Sequence, residues 1–148
     1  MSYELDEKDR KIIEILKEHS DYATRQIAKK TLLPITTVHH RIRKLKEEGV
    51  IKKFTIELDH VKYGNGLLAY VLISVSLPLL KEKKKTQHDV ADEIKRFSFV
   101  ERVDIVSGGT DLVAMIRVHD VAELDRVLLG KLQLVEGIEK TQSLIVIH

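Results

Sequence analysis

The sequence predicts an α+β fold in two parts, a winged-type helix-turn-helix domain followed by a ferredoxin-like βαββαβ domain, and three observations carry that prediction. Apolar residues recur at helical spacing in three successive segments before Gly49, with a compact turn marked by Pro34 between the second and the third. After Gly49 the apolar period shortens toward two. From Leu67 onward the pattern reads strand, helix, strand, strand, helix, strand.

Each element follows from local signals. Asp6, Glu7 and Asp9 place acids where they favour a helix amino terminus, ahead of Ile12, Ile13, Ile15 and Leu16, so a first helix runs to about His19. Thr24 is the expected N-cap of a second helix carrying Ile27 and Ala28. The third begins at Pro34 or Ile35, holds Val38, Ile42 and Leu45 on one face, and ends by Glu48 before Gly49. Ile51, Phe54, Ile56 and Leu58 then read as one face of a strand or ribbon, the wing. Residues 1–58 form the first domain, with the helix-turn-helix at about 24–43, and the Gly- and Asn-bearing segment 59–66 is the linker.

Residues 67–148 form the second domain. Its strands are expected at Leu67–Leu77, Val100–Val106, Asp111–Val118 and Ile138–Ile147, with helices at about Asp89–Phe97 and Asp120–Lys131 and a charged loop, KEKKKTQHD, after the first strand. The lysines of that loop read as a solvated tip. With both helices on one face of an antiparallel sheet, the other face needs a cover. Ala69, Val71, Ile73 and Val75 are expected to present it to a second copy of the sheet.

Charge separates the two parts. The whole chain carries a formal +2, yet residues 21–53 hold nine Lys/Arg against three acids, while residues 59–148 hold 12 against 13. The basic character therefore belongs to the helix-turn-helix. There is no cysteine, which excludes a disulfide framework and a thiolate metal site. The longest apolar run, Leu67 to Leu80, falls short of the roughly 20 residues of a membrane span, and MSYELDEKDR is acidic where a signal peptide is basic and then apolar. The protein is accordingly read as soluble and cytoplasmic, with no membrane partner. Abundant Lys and Glu without Cys or Trp suit a heat-adapted source.

Several short pieces then combine. Leu5-Asp6 and Asp9 open the first helix with Ile12-Ile13 behind them, followed by Ile27-Ala28, Leu33, Thr37-Val38, Arg41-Ile42, Leu45 and Gly49-Val50-Ile51. Gly64 comes next, then Gly108 and Asp111 as a G-x-x-D between two strands. In this order and spacing the chain resembles the Lrp/AsnC family, the feast-or-famine transcriptional regulators of bacteria and archaea, over nearly its whole length. The resemblance implies that the carboxy-terminal unit is the family's RAM-type module for amino-acid sensing and oligomerisation. It also marks two departures, because such turns usually carry Gly where Leu32 stands and a Ser N-cap where Pro34 stands. A left-handed leucine is unfavourable by roughly 1–2 kcal/mol, so ordinary backbone angles are expected at Leu32.

The outward face of the third helix carries Thr36, Thr37, His39, His40, Arg41, Arg43 and Lys44, side chains suited to base edges and phosphates. Thr36, His39 and His40 lie in the amino-terminal half, which meets base edges in this motif, and Arg25 is the candidate phosphate contact on the second helix. His39 and His40 point about 100° apart and cannot share a metal, so no metal site is assigned. Ser107, Gly108, Gly109, Thr110 and Asp111 read first as a hairpin turn. The resemblance makes them an effector site, with exposed amides and a carboxylate complementary to a small amino acid bound between dimers.

An enzyme is the rival class, but there is no G-x-x-x-x-G-K-[ST], H-E-x-x-H or G-x-S-x-G motif and no cysteine nucleophile, so no catalytic residue or cofactor is assigned. A second rival is an amino-acid-binding protein whose helical half has lost DNA affinity. The expected function is sequence-specific regulation of transcription. The partners would be double-stranded DNA with a pseudo-palindromic operator and further copies of the chain, as a dimer, tetramer or octamer.

Overall fold

The computed structural model describes residues 3–148, which divide into two compact units, one ending at Glu57 and the other starting at Leu58. The first unit contains α1 (Glu7–Glu18), α2 (Thr24–Thr31) and α3 (Ile35–Glu47). Asp6 caps α1, its carboxylate accepting from the Asp9 N–H at 2.9 Å while Asp9 reaches back to the Asp6 N–H. Ile12, Leu16, Ile27, Ala28 and Val38 close a small core, with Leu33, Ile42 and Ile51 packed around it.

Thr24 is not the cap of α2. That place falls to Ala23, whose N–H donates to the Gln26 side chain at 2.7 Å, so Thr24 is the first helical residue. Leu32 also departs from expectation, lying in the left-handed region at φ 57° and ψ 31°. The reason is the end of α2: the Leu32 and Leu33 N–H groups both bond to the Ala28 carbonyl, and that closure needs a left-handed residue at position 32. It aims Leu33 into the core and leaves Leu32 90% exposed. Leu32→Gly is therefore expected to stabilise the protein by about 1 kcal/mol, after allowance for glycine's greater freedom when unfolded. Thermal unfolding should show a midpoint a few degrees higher, and an unchanged midpoint would argue against a strained turn.

The ribbon expected after α3 has no ladder. Residues 52–59 are irregular, with Phe54 and Ile56 exposed, because alternation marks a strand-forming face but a ladder needs a second strand, and this unit has none among its described residues. The segment read as a linker contains a one-turn helix, α4 (His60–Tyr63), capped by Asp59 and ended by Gly64 at φ 98°. His60 Nδ1 meets the Asn65 side-chain oxygen at 2.9 Å, and His119 Nδ1 meets the Gly64 carbonyl at 3.0 Å.

The second unit continues with β1 (Leu67–Val75), α5 (Leu77–Glu82), α6 (Gln87–Lys95), β2 (Val100–Ile105), β3 (Leu112–Val118), α7 (Val121–Gly130) and β4 (Ile138–Ile145). The sheet is antiparallel in the order β2-β3-β1-β4. Helix α5 replaces the end of the expected first strand and part of the charged loop. Ser76 caps it, accepting from the Leu79 N–H, and Pro78 suits the first turn, signals masked by the continuous apolar run. Thr86 and Asp89 form a capping box that starts α6 at Gln87. Lys85 is not part of a solvated tip: its ammonium is held by Glu93 at 2.8 Å and the Glu136 carbonyl at 2.9 Å.

The two faces of the sheet are the reverse of the expectation. Ala69, Val71, Ile73 and Val75 lie in the core with Leu112, Ala114 and Ile116 of β3, beneath α6 and α7. The open face carries Leu68, Tyr70 and Leu72, with Met115 and Leu144 flanking Tyr70 in register. A period of two says which residues share a face, not which face the helices cover. Here both sets are apolar enough to serve.

Candidate nucleic-acid interface

Helix α3 forms because Val38, Ile42 and Leu45 recur at helical spacing, and Val38 and Leu45 are fully buried. Their burial fixes what faces outward. Thr36, His40, Arg43 and Glu47 follow one another at intervals of four, three and four, which makes one stripe, and His39 flanks it. All five are exposed. Arg43 Nη2 lies 3.4 Å from His40 Nδ1, and its Nε lies 3.7 Å from Glu47 Oε1. Exposed pairs of this kind contribute little, so the guanidinium can exchange them for a base or phosphate at small expense.

Arg25 is exposed on the first turn of α2, whereas Thr37 is half-buried beside the core stripe. Lys44 is exposed and its ammonium sits 4.9 Å from the centre of the Tyr3 ring, which holds it toward the amino-terminal segment.

Arg41 belongs elsewhere. Its guanidinium pairs with Asp6 and, at 3.0 Å, with Asp9, whose side chain is 1% exposed. The other Asp9 oxygen accepts from the Tyr3 hydroxyl at 2.9 Å and from the Asp6 N–H at 3.2 Å. The Asp9 N–H and, next, Arg41 hold the Asp6 carboxyl below its ordinary pKa, while Asp6 and then Asp9 raise that of Arg41. An arginine committed to two carboxylates fastens α3 to the start of α1 and is not free for a phosphate. Arg41, expected from the sequence to contact DNA, is thus tied to Asp6 and Asp9 instead. Residue type and an outward-looking position at the border of the core stripe are all that the sequence shows.

The segment between β2 and β3 is longer than a tight hairpin turn. Val106 donates to the Asp111 carbonyl at 2.9 Å, and Ser107, Gly108 and Gly109 are exposed, with Gly108 at φ 129°. Thr110 and Asp111 are half-buried and tie the loop to the end of β1. The Thr110 hydroxyl donates to the Ile73 carbonyl at 2.9 Å, and one Asp111 oxygen accepts from the Val75 N–H at 2.9 Å. Asp111 thus holds the loop in place, a use that its spacing in the sequence did not reveal. Gly109 and Thr110 line a shallow hollow with Leu72, Ser74, Lys140 and Gln142 on the open face of the sheet. The last three escaped the sequence reading because only the β1–β4 register, Ser74 with Lys140 and Leu72 with Gln142, brings them there. Among the described residues no group of three or more His, Asp or Glu is placed to hold a metal.

Comparison with known proteins agrees with this division. A model described as winged helix-turn-helix DNA-binding matches residues 5–52, and the Lrp/AsnC ligand binding domain matches residues 68–148. An uncharacterized HTH-type transcriptional regulator of Pyrococcus horikoshii is 35% identical over 141 residues, covering 95% of this chain and 91% of the relative. The HTH-type transcriptional regulator FL11 of the same organism is 36% identical over 147 residues, covering 99% and 92%. Among solved structures, AsnC of Escherichia coli aligns with a TM-score of 0.84 at 23% identity, covering 99% of this chain and 94% of that one. A Neisseria meningitidis transcriptional regulator solved as an L-Met complex aligns with a TM-score of 0.88 at 21% identity, covering 98% and 91%.

Proposed function

The chain belongs to the Lrp/AsnC family of DNA-binding transcriptional regulators, and from that premise we propose how its own residues divide the work. Helix α3 enters the major groove with Thr36, His39, His40 and Arg43 toward base edges, while Arg25, Lys44 and Thr37 at its margins meet the backbone. The observation that carries this reading is the exposed stripe from Thr36 to Arg43, opposite a fully buried Val38 and Leu45. Two chains related by a two-fold axis present two such helices to successive major grooves, roughly 34–36 Å apart on a pseudo-palindromic operator. The open sheet face supports that pairing, since Tyr70 is 39% and Leu144 46% exposed at its apolar centre. Gel shifts over a series of salt concentrations test the reading. Affinity should fall steeply and linearly in logarithmic terms as salt rises, whereas a protein without phosphate contacts would show no binding to lose.

A small amino acid acts as effector in the hollow beside Gly109 and Thr110. Lys140 pairs with its carboxylate, and the oxygens of Ser74 and Gln142 receive its ammonium. A neighbouring dimer completes the shallow site, so that the ligand favours one assembly over another. The methionine complex of the Neisseria structure supports a ligand of this class. Calorimetry against the twenty amino acids should find a ligand whose binding Lys140→Met abolishes. Asp111→Asn should keep binding, because the amide oxygen can still accept from Val75, and Asp111→Ala should lose it. Loss in Asp111→Asn as well as in Asp111→Ala would instead make that carboxylate the direct partner of the ligand.

A further inference from the structure

We infer that an apolar pair at the leading end of the recognition helix, Leu32 and Ile35, reads a thymine 5-methyl group in the major groove. This rests on the DNA-binding reading above and adds a base-specific apolar contact to its polar ones.

Two independent observations point to it. Ile35 is the first residue of α3 and remains 48% exposed, although the helix buries Val38 and Leu45 completely. It lies four residues before His39, so its side chain continues the His39 edge of the outward face toward the amino-terminal end of α3. In a helix-turn-helix that end approaches base edges, and the only apolar group on a major-groove edge is the methyl of thymine. Leu32 supplies the second observation. It stands in the connecting turn just ahead of α3, 90% exposed in a left-handed conformation that glycine would adopt without strain. Among the described residues the side chain stays 90% exposed, and the backbone bonds at the end of α2 need only an amide there. A strained, exposed leucine three residues ahead of an exposed isoleucine is unfavourable in the free protein and favourable against an apolar partner. Pro34 between them carries no N–H and no polar side chain, which leaves this end of the helix without a side-chain cap that would compete for the space.

The test uses the full chain and the tightest-binding duplex selected from a random pool, resynthesised with each thymine in turn replaced by deoxyuridine, which removes only the methyl. Wild-type affinity should fall roughly fourfold at one thymine of each half-site, and roughly fifteenfold when the symmetry-related pair is exchanged together. In Ile35→Ala the same exchange should have little effect. Leu32→Gly should bind less tightly than wild type while unfolding at a higher temperature, two shifts of opposite sign that a purely structural role for Leu32 does not produce. A wild-type protein that binds its selected duplex but ignores every methyl would overturn the inference and leave the regulator reading standing. A methyl effect that persists undiminished in Ile35→Ala would overturn it too. Failure to bind any duplex would instead remove the DNA-binding reading from which it starts.

Discussion

Replacing Arg41 with methionine is expected to destabilise the protein by about 2–3 kcal/mol, because it strands the Asp9 carboxylate in a place where its side chain is only 1% exposed. Breaking a buried ion pair by removing one partner usually costs about 3–5 kcal/mol. The lower figure applies here because the Tyr3 hydroxyl and the Asp6 N–H still donate to Asp9. Removing both charges should recover most of the loss. Asp9→Leu combined with Arg41→Met leaves no buried charge uncompensated, so denaturant unfolding of the two single variants and the double variant should show strong non-additivity. Additive losses would mean that Arg41 and Asp9 act separately.

The same cluster sets a pH dependence. Asp6 has its pKa lowered by the Asp9 N–H and by Arg41, so in the folded protein it stays ionised to lower pH than when unfolded. Its stabilising contribution is complete above the unfolded carboxylate range and is lost as pH falls through the depressed folded value. In Arg41→Met one cause of the depression is gone. Its stability should therefore fall less on acidification than that of the wild type, and the fall should be complete at a higher pH.

The second large effect concerns recognition. Arg43→Ala with His40→Ala should weaken operator binding by about 2–4 kcal/mol, a loss of roughly thirtyfold to a thousandfold, while leaving unfolding nearly unchanged. The two side chains touch each other only at 3.4 Å on an exposed surface, so their removal disturbs little within the fold. Three residues of one helix, all basic or titratable, are expected to divide between a stability phenotype and a binding phenotype according to which way they face.

That division shows what the sequence could carry. Helices α1, α2, α3, α6 and α7 and the four strands were legible because apolar spacing marks each of them, helped by acids such as Asp6 at the start of α1, whereas α4 and α5 were hidden in a turn-rich segment and a continuous apolar run. The exposed stripe of α3 was legible for the same reason, as the complement of Val38, Ile42 and Leu45. Arg41 was not, since it stands at the border of that stripe and only the approach of the α1 terminus, 32 residues earlier, shows what it pairs with. Leu32 misled because its side chain argues against a left-handed angle that the hydrogen bonds closing α2 demand. The choice of sheet face was hidden by apolar residues on both sides of β1. At Asp111 the residue type pointed to a ligand's ammonium, and the neighbouring strand end claimed the carboxylate first.

Whether α3 of this chain reads sequence in the major groove is tested by repeating the selection of bound duplexes with Arg43→Ala. Preference should disappear at one base pair of each half-site and survive at the others, with the half-site spacing unchanged. A selected consensus identical to that of the wild type at every position would contradict that role.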